Sequence, residues 1–279
     1  MNEKIKIHIF EVGKVCVSKD LPFGGENCSL LKASGIFTRK SNRLWLPVSS
    51  YLIEHPKGKI LVDCGWNREM SPKGIYDQKA QIKSLGSPLL YLVNQGVVEH
   101  TIDEQLKEIG IKTNEIDYVL LTHLDCDHAN GLKQVKDAKK ILVSKDEMMF
   151  ALKHPFIRYQ KKWWKDINLD TFEWNDCKGP AEKSYDLFDD GSVELINIPG
   201  HSDGLFAVKI TNKKGEYVLL YSDGGYARKS WEEGIVSGIA SNRQAQKQSL
   251  EWIRQMSLDP LCICTLANHE ETRQKEIVI

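Results

Sequence analysis

Four side chains that can ligate a metal lie close together in the stretch YVLLTHLDCDHANGL, residues 118–132. They follow a short apolar run that is typical of a β-strand. His123 and Asp125 alternate along the chain and therefore project to one side. Asp127 and His128 come from the following turn. Without a bound cation, burying such groups at a strand end would cost several kcal/mol, roughly the penalty for uncompensated buried ions. The pattern favours two metal positions over one.

This pattern resembles the H-x-H-x-D-H signature of the metallo-β-lactamase superfamily, except that Asp125 stands where the family has its second histidine. The family-like segments PGHSDG, YSDGGY and LANHE follow in the family's order and supply His201, Asp223 and His269. Upstream, ILVDCGWN resembles the family's strand that ends in an aspartate–glycine turn, and it supplies Asp63. Five segments in order, over roughly residues 5–269, make the resemblance specific.

Within the superfamily, the chain is most similar to N-acyl homoserine lactonases. This likeness depends on the modest chain length, the lead-in LPVSSYLIEHPKGKILVDCGW and Tyr226, three residues after Asp223. The resemblance implies a bridging role for Asp223 and an orienting role for Asp63 on the ligand histidines. It implies a first metal held by His123, Asp125 and His201 and a second held by Asp127, His128 and His269.

The expected cofactors are two divalent metal ions, with zinc favoured and iron or manganese as alternatives because of Asp125. An aspartate in place of a histidine exchanges a neutral nitrogen ligand for an anionic oxygen ligand. The net positive charge of the site falls by one unit, which is expected to weaken its Lewis acidity. Two outcomes stay open: the enzyme works with an adjusted metal, or the first site is only partly occupied.

The implied reaction is the hydrolysis of lactones such as N-acyl homoserine lactones. In that reaction, two metals about 3.5–4 Å apart would share a hydroxide formed at neutral pH, and this hydroxide is expected to attack the substrate carbonyl. The resemblance makes Tyr226 the hydrogen-bond donor to the carbonyl or oxyanion. It makes Asp127 or water the proton donor to the leaving alkoxide. Two alternatives stay open: a superfamily member acting on thioesters or as an iron oxidoreductase, and a non-catalytic metal-binding module.

Composition narrows the choice of partners. The 279 residues contain 38 basic and 38 acidic side chains, so no global charge attracts nucleic acid or an anionic membrane. No window approaches 18 consecutive apolar residues, which argues against a membrane span. Seven scattered cysteines without a C-x-x-C pair predict reduced thiols and a cytoplasmic protein. The expected partner is a small-molecule substrate, and the expected assembly is a monomer or homodimer.

The predicted fold class is α/β, because strands, helices, strands and a helix follow one another without a linker. The resemblance implies a four-layer αβ/βα sandwich, in which two packed mixed sheets are flanked by helices in a single domain, residues 1–279. The aromatic and basic segment 148–174 predicts a lid or an interface, with core packing and nucleic-acid stacking as alternatives. The 73 positions from His128 to His201 leave no room for the inserted domain of RNA-processing nucleases.

Overall fold

The computed structural model describes residues 4–92, 95–154 and 158–279. Its first sheet has the strand order β13-β1-β2-β3-β5-β6-β7, with β4 paired to β1. The strands of this sheet are β1 (Lys6–Ser18), β2 (Arg43–His55), β3 (Gly58–Val62), β4 (Gln95–Val97), β5 (Tyr118–Leu121), β6 (Lys140–Ser144), β7 (Asp170–Phe172) and β13 (Glu276–Val278). Strands β3, β5, β6 and β7 run parallel, whereas β1 and β2 are antiparallel. This sheet is therefore mixed.

The second sheet has the strand order β12-β11-β10-β9-β8. Its strands are β8 (Ser184–Asp186), β9 (Val193–Asn197), β10 (Phe206–Thr211), β11 (Tyr217–Ser222) and β12 (Cys262–Ala267). Only the β11–β12 pair of this sheet is parallel. Because β9 and β11 are both antiparallel to β10, the carboxyl ends of β9, β11 and β12 all lie at one edge of the sheet.

Helices cover the outer faces of both sheets. They are α1 (Asp20–Phe23), α2 (Leu30–Ser34), α3 (Gln78–Leu85), α4 (Ser87–Leu92), α5 (Ile102–Glu108), α6 (Cys126–Ala129), α7 (Lys145–Lys153), α8 (Arg228–Glu232) and α9 (Arg243–Leu258). One apolar cluster joins the first sheet to α3–α7, and another joins the second sheet to α8 and α9. No helix in the described ranges is long and apolar enough to cross a membrane.

A third apolar cluster lies between the two sheets. The alternation of β1 places Ile7 and Ile9 on the inner face, where they share this cluster with Leu120 of β5 and Val208 of β10. Each side chain of this size contributes about 1.5–3 kcal/mol when it is fully buried. The order helix, sheet, sheet, helix confirms the predicted four-layer sandwich.

Much of the aromatic segment 148–174 packs inward. Tyr159, Trp163 and Trp164 are buried in the cluster between the first sheet and its helices, where Phe150 joins them. This packing corresponds to the alternative of ordinary core residues. Residues 155–157 of the segment lie outside the described residues, and its role as a lid or an interface stays a prediction.

Candidate metal centre

The predicted ligands follow the carboxyl ends of four strands. His123 lies two residues after β5. The single turn of α6 begins immediately after Asp125 and contains Asp127 and His128. The loops after β9, β11 and β12 supply the remaining ligand candidates, His201, Asp223 and His269. Since these strand ends meet along one edge of the sandwich, side chains from distant positions of the sequence converge there.

The ligand atoms form overlapping groups in which all atoms lie within 4.8 Å of one another. We use the name first half-site for His123, Asp125 and His201. The second half-site consists of Asp127, His128 and His269. A third group, His123, His128 and Asp223, spans the two half-sites. The structure therefore brings every residue that the sequence predicts as a metal ligand into one cluster.

Asp223 lies between the two half-sites. Its Oδ1 lies 3.5 Å from Nε2 of His128 and 3.2 Å from Nε2 of His269. Its Oδ2 faces the other way and lies 3.9 Å from Nε2 of His123 and 3.6 Å from Nε2 of His201. One carboxylate oxygen thus faces each half-site, which is the arrangement that a bridging ligand requires.

The buried donor atoms fit a bound cation. His123 Nε2 and Asp223 Oδ1 are buried and have no hydrogen-bond partner among the described residues. A buried polar atom left without a partner costs about 1–3 kcal/mol. A divalent metal between imidazole nitrogens and carboxylate oxygens would satisfy both atoms, and this donor set is the one that zinc, iron and manganese accept.

Asp63 orients the second half-site. Its Oδ2 accepts a hydrogen bond from Nδ1 of His128 at 2.8 Å, and its Oδ1 accepts one from the Thr122 backbone N–H at 2.9 Å. With Nδ1 engaged, Nε2 of His128 is left to face the cluster. The chain after α6 also passes close to the residues that follow Asp63, because a Cβ at Gly131 would lie 2.2 Å from the Cys64 carbonyl oxygen. The geometry is that expected of the predicted orienting carboxylate.

Burial and charge act differently on the histidines of the two half-sites. Burial lowers the pKa of His123 and of His201, so these imidazoles are neutral. Burial also opposes a charge on His128, but the Asp63 and Asp223 carboxylates outweigh it and raise its pKa well above the ordinary value. In the same way, Asp223 outweighs burial and raises the pKa of His269.

Tyr226 lies against both half-sites. Its ring stacks on His269 with the centroids 5.0 Å apart, and it meets His201 edge to face at 5.8 Å. Burial, and then the carboxylates of Asp223 and Asp125, raise the pKa of the Tyr226 phenol well above its usual value. The phenol therefore keeps its proton at neutral pH and can donate a hydrogen bond.

Sequence reasoning missed two residues that contact the segment with Leu124 and Asp125. One lies in α7 and the other follows that helix. Glu147, which is buried in α7, accepts a hydrogen bond from the Leu124 backbone N–H at 3.0 Å. Arg158 donates from Nε to Asp125 Oδ1 at 2.6 Å and from Nη2 to Asp125 Oδ2 at 3.0 Å. The sequence feature that could have indicated Arg158 is the additional carboxylate at position 125, because a buried carboxylate requires a cation nearby.

Arg158 also sets the charge state of its partner. Burial by itself would raise the pKa of Asp125, but the Arg158 guanidinium and the neighbouring imidazoles hold it well below its usual range. Asp125 is thus an ionised carboxylate, paired with a group that cannot be deprotonated in a protein. A second contact takes Arg158 Nη2 to within 2.6 Å of His201 Nε2, and Nη1 donates to the His201 carbonyl at 3.1 Å.

Known proteins share this sequence pattern and fold. A family profile described as the metallo-beta-lactamase superfamily matches residues 43–218. The N-acyl homoserine lactonase AttM of Agrobacterium fabrum is 28% identical over 75% of this chain and 76% of the relative. An N-acyl homoserine lactonase of Bacillus cereus is 26% identical over 70% of each protein.

Solved structures give the same fold. An N-acyl homoserine lactone hydrolase, with the product N-hexanoyl-L-homoserine bound at its catalytic metal center, superimposes with a TM-score of 0.72 at 20% identity. That match covers 95% of this chain and 92% of the other. AidC, a dizinc quorum-quenching lactonase, gives a TM-score of 0.61 at 14% identity over 99% and 94% of the two chains.

The family profile covers well over half of the chain, and the structural matches extend over nearly all of it. The sequence predicted the same family from the ligand segments alone, and the matches confirm that prediction together with the four-layer fold. The chain belongs to the metallo-beta-lactamase superfamily.

Proposed function

We propose that this protein is a metal-dependent hydrolase that opens lactone rings, with N-acyl homoserine lactones as the expected substrates. The observation that carries the proposal is the convergence of both half-sites on Asp223 in a buried cluster. The lactonase relatives support the substrate class, and the prediction of a metal-dependent hydrolase agrees with them. Small acyl-lactones are the proposed partners.

The proposed cofactors are two divalent metals, with zinc as the expected identity. The first would be held by His123, Asp125 and His201, the second by Asp127, His128 and His269, with Asp223 shared. A metal bound there would supply Lewis acidity, which would polarise the ester carbonyl and lower the pKa of bound water towards neutrality. The unpaired buried atoms of His123 and Asp223 support this assignment.

The chain's own residues would perform the remaining steps. Tyr226, protonated and stacked on His269, is proposed to donate a hydrogen bond to the carbonyl oxygen as negative charge develops there. Asp127 lies beside His269, with its Oδ2 3.4 Å from Nε2, and is proposed to take the proton that the attacking water loses and pass it to the leaving alkoxide. Asp63 would keep His128 in the required tautomer.

The test combines metal content with hydrolysis of a lactone panel, using protein purified without added metal. We expect bound divalent metal and turnover of acyl-homoserine lactones, and we expect His123→Ala to abolish that turnover. A matched control is His100→Ala, because the His100 side chain is exposed and its Nδ1 lies 3.7 Å from Glu108 Oε1, away from the ligand cluster. Bound metal without turnover of any lactone would contradict the proposed substrate and favour another activity of the superfamily.

A further inference from the structure

Arg158 enters the first half-site instead of packing beside it. Its Nη2 lies 2.6 Å from His201 Nε2 and 3.0 Å from Asp125 Oδ2. These two atoms lie 2.9 Å from each other and are the ones proposed to bind the first metal. The guanidinium therefore contacts the donor atoms that a metal would need.

The imidazole of His201 makes the two occupants mutually exclusive. In the tautomer with the proton on Nδ1, Nε2 of His201 has a single lone pair, so it accepts either an N–H from Arg158 or a metal. Arginine stays protonated in proteins, and its guanidinium therefore always presents a donor. A metal in the first half-site must displace Arg158 from His201.

Asp125 accounts for the presence of the guanidinium. Nε and Nη2 of Arg158 contact both carboxylate oxygens of Asp125, and such two-point pairs are among the stronger hydrogen-bonded contacts in proteins. A histidine at position 125, as in the family signature, could not accept this fork. The departure at position 125 and the position of Arg158 thus form one feature.

The second half-site has only a weaker competitor within the part of the chain that the structure describes: the neutral amide of Asn268, whose Nδ2 lies 3.3 Å from His128 Nε2. Among the described residues, the hydrogen-bond partners of His128 and His269 at Nδ1 are the Asp63 carboxylate and the Pro47 carbonyl oxygen. Both partners act from outside the cluster, and both leave Nε2 directed towards the ligand group. Metal binding there displaces the neutral amide of Asn268 but requires no guanidinium to leave a carboxylate.

We propose that Arg158 is a built-in competitor for the first metal, so that the two half-sites load in order. The second half-site binds its metal tightly and first. The first half-site accepts a metal only when Arg158 releases Asp125 and His201. This inference rests on the proposed metal centre but not on the identity of the substrate.

The test titrates metal-free protein with zinc and follows binding by calorimetry and by metal analysis of gel-filtered samples. For the unaltered chain we expect one tight equivalent and a second that is at least about tenfold weaker, in line with the 10–100-fold effects of groups that contact metal ligands. In Arg158→Gln the second equivalent should bind at least about tenfold more tightly, since Asp125 then lacks its cation. Arg158→Lys, which keeps the charge but loses the planar fork, should fall between them.

A matched control is Arg254→Gln, because Arg254 is an exposed residue of α9 whose ion-pair partner is Glu251. It should leave both affinities unchanged. Thermal unfolding of each metal-free variant checks that the fold is retained. Equal affinities of the two equivalents in the unaltered chain, or an unchanged or weaker second equivalent in Arg158→Gln, would overturn the proposal.

A second readout follows the Arg158 side chain itself in the unaltered protein. The Nε–H resonance of Arg158, identified by its absence in Arg158→Lys, should stay protected from exchange in protein with one zinc and lose that protection with the second. Protection that survives the second equivalent would also overturn the proposal. Because both readouts follow metal and not turnover, a chain without lactonase activity could still load in order.

Discussion

The histidines of the second half-site and His201 of the first are contacted from opposite directions. In the second half-site, Asp63 and the Pro47 carbonyl oxygen each contact a histidine at Nδ1, at 2.8 Å, from outside the cluster. In the first half-site, the Arg158 guanidinium contacts Nε2 of His201 from inside the cluster. Nδ1 of His201 is buried and has no hydrogen-bond partner among the described residues.

This contrast distinguishes the two half-sites. We call the second the prepared half-site, because its histidines are already oriented, and the first the conditional half-site, because Arg158 must leave it before a metal binds. A histidine fixed at Nδ1 directs Nε2 to the metal before the metal arrives, so little reorganisation accompanies binding. A histidine that shares its Nε2 lone pair with a guanidinium must first lose that contact. On this proposal, the two metal positions would differ in affinity.

The largest effect is expected from His128→Ala. This change removes a ligand of the prepared half-site, so tightly bound metal should disappear and lactone turnover should fall at least about 100-fold. His123→Ala should also abolish turnover but keep the tight equivalent, because the second half-site remains complete. Metal analysis of both variants checks this; loss of tight metal in both alike would remove the distinction between the half-sites.

Tyr226→Phe tests whether a residue that touches both half-sites acts on substrate. Loss of the hydroxyl should lower kcat by about 10²-fold, the lower range for one donor to an oxyanion, and leave both metal affinities unchanged. The phenyl ring keeps its stacking on His269. Steady-state kinetics measure kcat, and a zinc titration of the same preparation measures the two metal affinities. An unchanged kcat would exclude the proposed donor role.

Asp63→Asn should loosen the prepared half-site. An amide at this position no longer provides the negative charge beside His128 Nδ1, and the affinity for the tight equivalent should fall about 10–100-fold. The control is Asp190→Asn, which removes an exposed ion pair with Lys57 at 2.6 Å. If competitive chelator titrations give the same zinc affinity for Asp63→Asn as for the unaltered chain, Asp63 has only a structural role.

The smallest expected effect is a pH dependence confined to the prepared half-site. Its histidines have raised pKa values without metal, because nearby carboxylates outweigh burial, so metal must displace protons from them. Affinity for the tight equivalent should fall as pH falls, with release of about one proton per metal near neutrality. The same raised pKa values stabilise the metal-free fold at low pH, and this contribution is lost as pH rises through them.

Calorimetry in two buffers with different ionisation enthalpies measures this proton release. The weak equivalent provides the internal control, because burial lowers the pKa of His123 and His201 and leaves them neutral. Proton release that is equal for both equivalents, or absent for the tight one, would contradict the prediction.

The arrangement of ligands could be predicted from the sequence to a large extent. His123, Asp125, Asp127 and His128 lie on one strand end and one helical turn, so local geometry alone places them together. The family order of segments supplied the distant ligands and the sandwich fold, and the structure brings these ligands into the same cluster. The catalytic and ligand roles themselves stay proposals until they are tested.

The surroundings of the ligands could not be predicted in this way. Glu147 and Arg158 carry no motif, and the aromatic segment 148–174 had several interpretations that its composition could not separate. Burial of Tyr159, Trp163 and Trp164 depends on the apolar core between α3–α7 and the first sheet, which no local pattern describes.

The sequence by itself indicated the candidate metal ligands, the family and the single departure at Asp125. This was possible because residue types and short spacings along the chain identify groups that can bind a metal. Only the tertiary structure decided what that departure does. Arg158 lies 33 positions from Asp125, and the packing of its segment against the core is what carries the guanidinium to both carboxylate oxygens. A buried carboxylate requires a cation, but only the fold determines which one comes within reach.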